Sequence, residues 1–195
     1  MKIAQWKALR FMLISTLAFT VMNALVKYLE GFHPYQITFF RAFGSLVLSF
    51  GFLLHNRIPI LGKKRKLLLA RGIIGTISMI LFFLALQALP FGSAISLRYT
   101  APIFAAILAT FILKERITLL QWCCFGIAFI GVLLLKGFDG RITPLGLTYI
   151  ITSALFAGLV FNIIRKIGKE EHPIVVVNYF MACAVIISGL IMLPY

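Results

Sequence analysis

Asn23-Ala-Leu-Val-Lys-Tyr-Leu-Glu-Gly-Phe-His-Pro34 returns further along the chain as Asn162-Ile-Ile-Arg-Lys-Ile-Gly-Lys-Glu-Glu-His-Pro173. Both stretches read Asn-x3-Lys-x5-His-Pro, and an ungapped shift that carries Asn23 onto Asn162 also carries Ala18 onto Ala157 and Val21 onto Val160. Six identities over positions 11–34 exceed the roughly two that so biased a composition gives by chance. Each copy straddles the end of one apolar run and the start of the next. The His-Pro pair stands where the proline can open a helix, the one place where its absent N–H is harmless.

The runs on either side fill almost the whole chain. Apolar residues make up 62% of the 195 positions and the mean hydropathy is +1.04, against about 45–50% apolar in soluble domains. A water-soluble globule is excluded. A membrane-crossing helix needs about 20 mostly apolar residues, and seven stretches qualify: Phe11 to Leu29, Tyr35 to Leu54, Leu67 to Ala88, Phe91 to Leu113, Leu119 to Leu135, Leu145 to Ile164 and Ile174 to Leu193. Lys2, Lys7 and Arg10 precede the first run as in a secretory signal. No small-x-small cleavage site follows, and Asn23 and Lys27 lie within the run, so it reads as a retained helix. Trp6 and Trp122 flank the first and fifth runs as interfacial aromatics do.

Charge gives the orientation. The net charge of +14 comes from 19 Lys and Arg against 5 Asp and Glu, placed in short clusters between apolar runs. That is not the continuous basic face of a nucleic-acid binder. With the N-terminus inside, Lys2, Lys7, Arg10, Arg57, Lys63 to Lys66, Arg71, Lys114, Arg116, Arg165, Lys166 and Lys169 are cytoplasmic. Only Lys27, Lys136 and Arg141 are outside, a strong positive-inside bias. Lys63 to Lys66 doubles as a contact for anionic lipid. Arg41 and Arg98 are left over, within spans.

The repeat maps the first span onto the sixth, so its unit is five helices. An odd number makes successive units enter the membrane from opposite sides, an inverted-topology repeat of the kind that builds secondary transporters. The expected fold is an all-α integral membrane protein, with a complete five-helix repeat over 9–136 and the first two helices of an inverted second repeat over 145–195. Two full units need ten spans. The sequence is therefore expected to be a fragment or truncated product, or to be completed by a second chain supplying three helices.

Leu84-Ala-Leu-Gln-Ala-Leu-Pro-Phe-Gly-Ser-Ala94, Tyr99-Thr-Ala-Pro-Ile-Phe104, Leu113-Lys-Glu-Arg-Ile117, Gln121-Trp122 and Gly131-Val-Leu-Leu-Leu135 together resemble the EamA-type drug/metabolite transporter superfamily. The likeness runs from about Arg10 to Lys136 and into the second unit. Lys27-Tyr-Leu, His33 and Phe39-Phe-Arg41 look like the branch of bacterial S-adenosylmethionine uptake carriers. The resemblance implies a ten-helix inner-membrane carrier of two inverted repeats that moves small metabolites by alternating access. Lys114-Glu115-Arg116 matches a family motif, and reads equally as an interfacial charge cluster.

Polar residues inside the spans are the candidate site. Arg41 lies about six residues into the second span and Arg98 about seven into the fourth, each roughly 9 to 11 Å deep from the outer face, so both guanidinium groups belong to one layer. Facing lipid would cost at least about 2.5 kcal/mol each, and no Asp or Glu stands at that depth. Two readings remain open: each Arg pairs with a substrate carboxylate or phosphate, or each is structural, bonding carbonyls or snorkelling. Asn23 and Asn162 read either as substrate contacts across the cavity or as interhelical glue; Gln87 and Asn178 are weaker candidates. Tyr99 stacks on substrate or anchors at the interface. Pro102 removes a backbone bond within the fourth span, beside small residues Ala101 to Ala106, as a gating kink or as static packing.

Cys123, Cys124 and Cys183 fall in apolar runs without metal-ligand or disulfide spacing, and nothing resembles a phosphate loop or catalytic set. No enzyme, metal or cofactor is expected. No titratable Asp, Glu or His stands near a span centre, which argues against proton-driven antiport, and deep positive charge argues against cationic-drug extrusion. The function expected is exchange or facilitated uptake of small, polar, carboxylate-bearing metabolites. Efflux of amino acids or amphiphiles is the alternative within transport, and a non-transporting truncated membrane protein the alternative outside it.

Overall fold

The computed structural model describes residues 2–29, 31–112, 118–138 and 142–193. The Lys114-Glu115-Arg116 motif lies outside the described residues. Every long element among them is an α-helix: α1 (Lys2–Tyr28), α2 (Pro34–His55), α3 (Arg65–Ala88), α4 (Phe91–Arg98), α5 (Ala101–Ile112), α6 (Leu119–Phe138), α7 (Pro144–Ile167) and α8 (Pro173–Met192). Six segments among the described residues are long and apolar enough to cross a membrane, with α4 and α5 counting as one, Phe91–Ile112. The fifth expected run, Leu119 to Leu135, falls within the 20-residue helix α6.

The helix starts follow from local chemistry. Pro34, Pro144 and Pro173 each stand at the first helical position, preceded by extended residues His33, Thr143 and His172. Gln36 Oε1 accepts from the His33 N–H at 3.1 Å, Thr143 Oγ1 from Gly146 N–H at 3.1 Å, and His172 Nδ1 from Ile174 N–H at 3.3 Å. Each acceptor occupies a donor that a helix end leaves unpaired. The two His-Pro junctions share one backbone conformation, φ/ψ −65/141 at His33 and −68/132 at His172.

The fourth expected span does not continue through its proline as a kinked helix. It breaks at Tyr99–Thr100, and α5 begins at Ala101. Pro102 cannot donate to the Arg98 carbonyl four residues back. The chain instead turns, with Tyr99 N–H bonding Ser96 O and Thr100 N–H bonding Leu97 O at 3.2 and 3.1 Å. Pro102 thus sits in the first turn of a new helix.

Helix α3 is the central element. It packs along α7 and α8, while α2 packs along α8 and α5 along α7. The main core gathers Phe82, Phe83, Leu86 and Leu89 of α3 and its C-cap with Leu97, Ile150 and Ala184. Small residues set the close approaches. A Cβ on Gly158 would stand 2.7 Å from the Ala105 nitrogen, and one on Gly72 3.1 Å from the Tyr179 carbonyl oxygen.

The two ends of α3 are held by the two Asn-x3-Lys-x5-His-Pro segments. At the Ala88 end, Lys27 Nζ donates to the carbonyls of Gln87 and Leu89 at 3.2 and 3.1 Å, and Gln87 Nε2 donates to Phe32 O at 3.1 Å. A cation on the exposed carbonyls of a helix C-terminus is favourable. At the Arg65 end, buried Glu171 accepts the backbone N–H groups of Lys63 and Lys64. Lys64 Nζ reaches back to the Lys166 and Ile167 carbonyls and pairs with Glu170 at 2.8 Å. The α1–α2 and α7–α8 junctions therefore lie at opposite ends of the bundle.

Candidate functional site

Between α1, α3, α4 and α7 lies a cavity of about 370 Å³. Its wall brings together Asn23 of α1, Arg41 of α2, Arg98 and Tyr99 at the end of α4, and an aromatic set that includes Phe82 and Phe83 of α3. Asn162 and Pro102 are not part of that wall.

Arg98 is fixed by two serines. Its Nη1 donates to Ser153 Oγ at 2.5 Å and to Ser78 Oγ at 3.2 Å, and Nη2 also donates to Ser78 Oγ at 3.2 Å. The serines are tied to each other's helices, Ser78 Oγ donating to Ser153 O at 2.8 Å and Ser153 Oγ to Ser78 O at 2.6 Å. The Arg98 guanidinium carbon lies 5.0 Å from the Phe82 ring centroid. Arg41 is held softly instead. Its N–H groups point at the sulfurs of Met22 and Met79, and its guanidinium carbon is 5.7 Å from the Phe83 ring centroid. Thioether sulfur is a weak acceptor, so this fork keeps most of its capacity for a stronger partner.

Arg41 and Arg98 thus meet α3 at adjacent residues, Met79 and Ser78, which places both cations at one level. Ser78 follows 13 residues after Arg65 in a 24-residue helix, so that level is about 20 Å along a helix about 36 Å long. The charged ends reach the middle of the bundle, deeper than their backbone positions indicate.

Asn23 is 2% exposed and its Oδ1 is buried without a hydrogen-bond partner. Asn162 is equally buried but committed, its Nδ2 donating to Ala105 O at 2.8 Å and to Gly158 O at 3.1 Å. It ties α7 to α5. Asn178 is likewise engaged, accepting from Ser49 Oγ at 3.0 Å between α8 and α2. Tyr99 is 74% exposed at the break between α4 and α5.

Arg71 lines the cavity and is missing from the candidate set drawn from the sequence. Counted with the cytoplasmic bases, it stands inside the expected run Leu67 to Ala88, and the structure puts it on the cavity wall. Its guanidinium carbon lies 4.2 Å from the Phe180 ring centroid, and its Nε and Nη1 are buried without an acceptor. The signal was its place within the run, six residues past Arg65. No Asp or Glu lines the cavity among the described residues, and none of them forms a His/Cys/Asp/Glu cluster able to hold a metal.

The model of the EamA-like transporter family matches residues 6–136, about two thirds of the chain. This chain belongs to the EamA-like transporter family. Together with six membrane-length apolar helices, that membership makes it a multi-pass membrane protein. It is similar to the pseudopaline exporter CntI of Pseudomonas aeruginosa, 25% identical over 90% of this chain and 62% of the exporter. It is similar also to human solute carrier family 35 member G1, 25% identical over 93% of this chain and 54% of that protein. The S-adenosylmethionine uptake transporter of Rickettsia prowazekii is 26% identical over 93% of this chain and 61% of the transporter. The chain therefore spans between half and two thirds of the length of these curated relatives. No solved structure matches it. Within this EamA-like chain the cavity wall draws on α1 to α4, inside the matched stretch, and on α7 and α8 beyond it.

Proposed function

We propose that this chain carries the substrate cavity of a secondary transporter for small, polar, carboxylate-bearing metabolites. It works by alternating access, as an exchanger or facilitator, in the inner membrane with the N-terminus cytoplasmic. The observation that carries the reading is the convergence of Arg41 and Arg98 on adjacent residues halfway along α3, in a cavity with no carboxylate among the described residues. Two cations at mid-bundle depth are costly unless something anionic meets them, and a guanidinium fork pairs a carboxylate bidentately. Asn23, with an unpartnered buried oxygen, and Tyr99, open at the cavity edge, complete the contact set.

An inverted repeat, with units over 9–136 and 145–195, is supported by the matching His-Pro junctions at opposite ends of α3. Further support is that α1 and α7, the helices related by the shift, both line the cavity, with Met22 and Phe161 the one matched pair among their lining residues. Membrane carriers with such repeats bind substrate near the midplane between the two halves. Asn162 and Pro102, assigned to substrate and gating from sequence, are better placed as the α5–α7 tie and the first turn of α5. Relatives named as an exporter and as an uptake transporter favour neither direction.

The test is uptake of labelled amino acids, nucleotides and S-adenosylmethionine into liposomes holding the reconstituted protein. Arg41→Ala and Arg98→Ala are expected to abolish accumulation of whichever anionic solute is carried. Transport unchanged in both variants would remove the site assignment.

A further inference from the structure

Arg71 gives the cavity a third cation at a different height. A Cβ on Gly75 would come within 2.5 Å of Arg71 Nη1, so the guanidinium lies over Gly75. The side chain is thereby turned toward the C-terminal end of α3, against the usual lean of helical side chains toward the N-terminus. Gly75 leaves the space for it and the Phe180 ring backs it at 4.2 Å. Ser78 and Met79, where Arg98 and Arg41 meet α3, are three and four residues further on, about 4.5 and 6 Å along the axis.

Arg41 and Arg98 therefore form one cationic pole and Arg71 another, in a single cavity of about 370 Å³ with no carboxylate lining it among the described residues. Two of the three Arg71 nitrogens are buried and have no acceptor. A buried donor without an acceptor is a standing cost, and among the described residues of the wall the Phe180 ring covers the guanidinium without accepting from these two nitrogens.

From this spacing we infer that the cavity selects a small dianion, with one carboxylate on the Arg98–Arg41 pole and a second on Arg71. Resting on the anion reading above, the inference adds that Arg71 discriminates dianions from monoanions. With carbon–carbon bonds of about 1.5 Å, a dicarboxylate of about four to six carbons is long enough to cover that axial offset along α3.

The probe pair is glutarate and its monoamide glutaramate, the same in length and differing by one charge. Binding of each to the purified protein in detergent is measured by calorimetry. The wild type is expected to prefer glutarate by about ten-fold, the size of one charge-assisted pair. Arg71→Gln is expected to bring the two ligands to within about two-fold by weakening glutarate alone, while Arg71→Lys retains a preference. Gly75→Ala, whose Cβ displaces the guanidinium, repeats the result should Arg71→Gln fail to fold. Equal binding of the two probes by the wild type, or a preference that survives both Arg71→Gln and Gly75→Ala, would overturn the inference and leave the anion site standing. Failure of glutarate to bind, or Arg98→Gln leaving both affinities unchanged, would overturn the anion site itself and the inference with it.

Discussion

Gly158→Ala tests how tightly α5 is held to α7. The added Cβ would stand 2.7 Å from Ala105 N and 2.9 Å from both Phe104 C and Phe104 Cβ. Two of these three atoms are backbone, so no flexible side-chain end can move aside. Ordinary carbon contact begins near 3.4 Å, so the helices must part by about 0.7 Å, the difference between 3.4 and 2.7 Å. One turn along the same face, Asn162 Nδ2 donates to Ala105 O at 2.8 Å, and the same displacement stretches that bond to about 3.5 Å, beyond useful range. Overpacking costs about 1–3 kcal/mol, and an interhelical side-chain bond adds about 0.6 to 2 kcal/mol. Gly158→Ala is therefore expected to destabilise by about 2–4 kcal/mol. Denaturant unfolding in mixed micelles, followed by far-ultraviolet circular dichroism, measures it. Because the mutation already breaks the Asn162 bond, Asn162→Ala in the Gly158→Ala background should cost at least about 0.5 kcal/mol less than it does alone. Strict additivity, or a loss below about 0.5 kcal/mol for Gly158→Ala, would refute the close α5–α7 contact.

Three further expectations follow from the same structure. Glu171→Ala leaves the backbone donors of Lys63 and Lys64 unpaired at the start of α3 and is expected to cost about 1–3 kcal/mol in the same unfolding assay, whereas Glu170→Ala removes only the exposed ion pair with Lys64 and costs less than about 1 kcal/mol. Lys27→Met frees the Gln87 and Leu89 carbonyls at the other end of α3 and is expected to lose about 0.3–1 kcal/mol, with hydrogen exchange rising first at Gln87 and Ala88. Pro102→Ala, in the first turn of α5, is expected to change stability by less than about 1 kcal/mol; a proline wedged in a continuous helix would instead be relieved by the change, and a gain above about 2 kcal/mol would favour the kink.

The helices were legible because each satisfies its own backbone, so that apolar length and proline-marked starts carry enough information without knowledge of neighbours. His33-Pro34 and His172-Pro173 announced the starts of α2 and α8 for that reason. The break between α4 and α5 was not legible as a break, since Tyr99 and Thr100 interrupt the hydrogen-bond ladder without interrupting the apolar run. Arg41 and Arg98 stood out by depth. Arg71 did not, because a base near a helix end looks the same whether it faces lipid headgroups or turns inward over a glycine. Only the space at Gly75 and the ring of Phe180, which comes from a helix more than a hundred residues away, separate the two cases. Asn23 and Asn162 show the same limit from the other side. They are matched by the sequence shift and equally buried, yet one spends its amide on Ala105 and the other keeps an unpartnered oxygen. The difference lies in what each one faces: α5 presents the Ala105 carbonyl to the Asn162 amide, whereas no donor meets Asn23 Oδ1 where it is buried. At two positions matched by the shift, the sequence marks where a polar group is tolerated, and the local packing decides which of the two is left with an unpartnered atom.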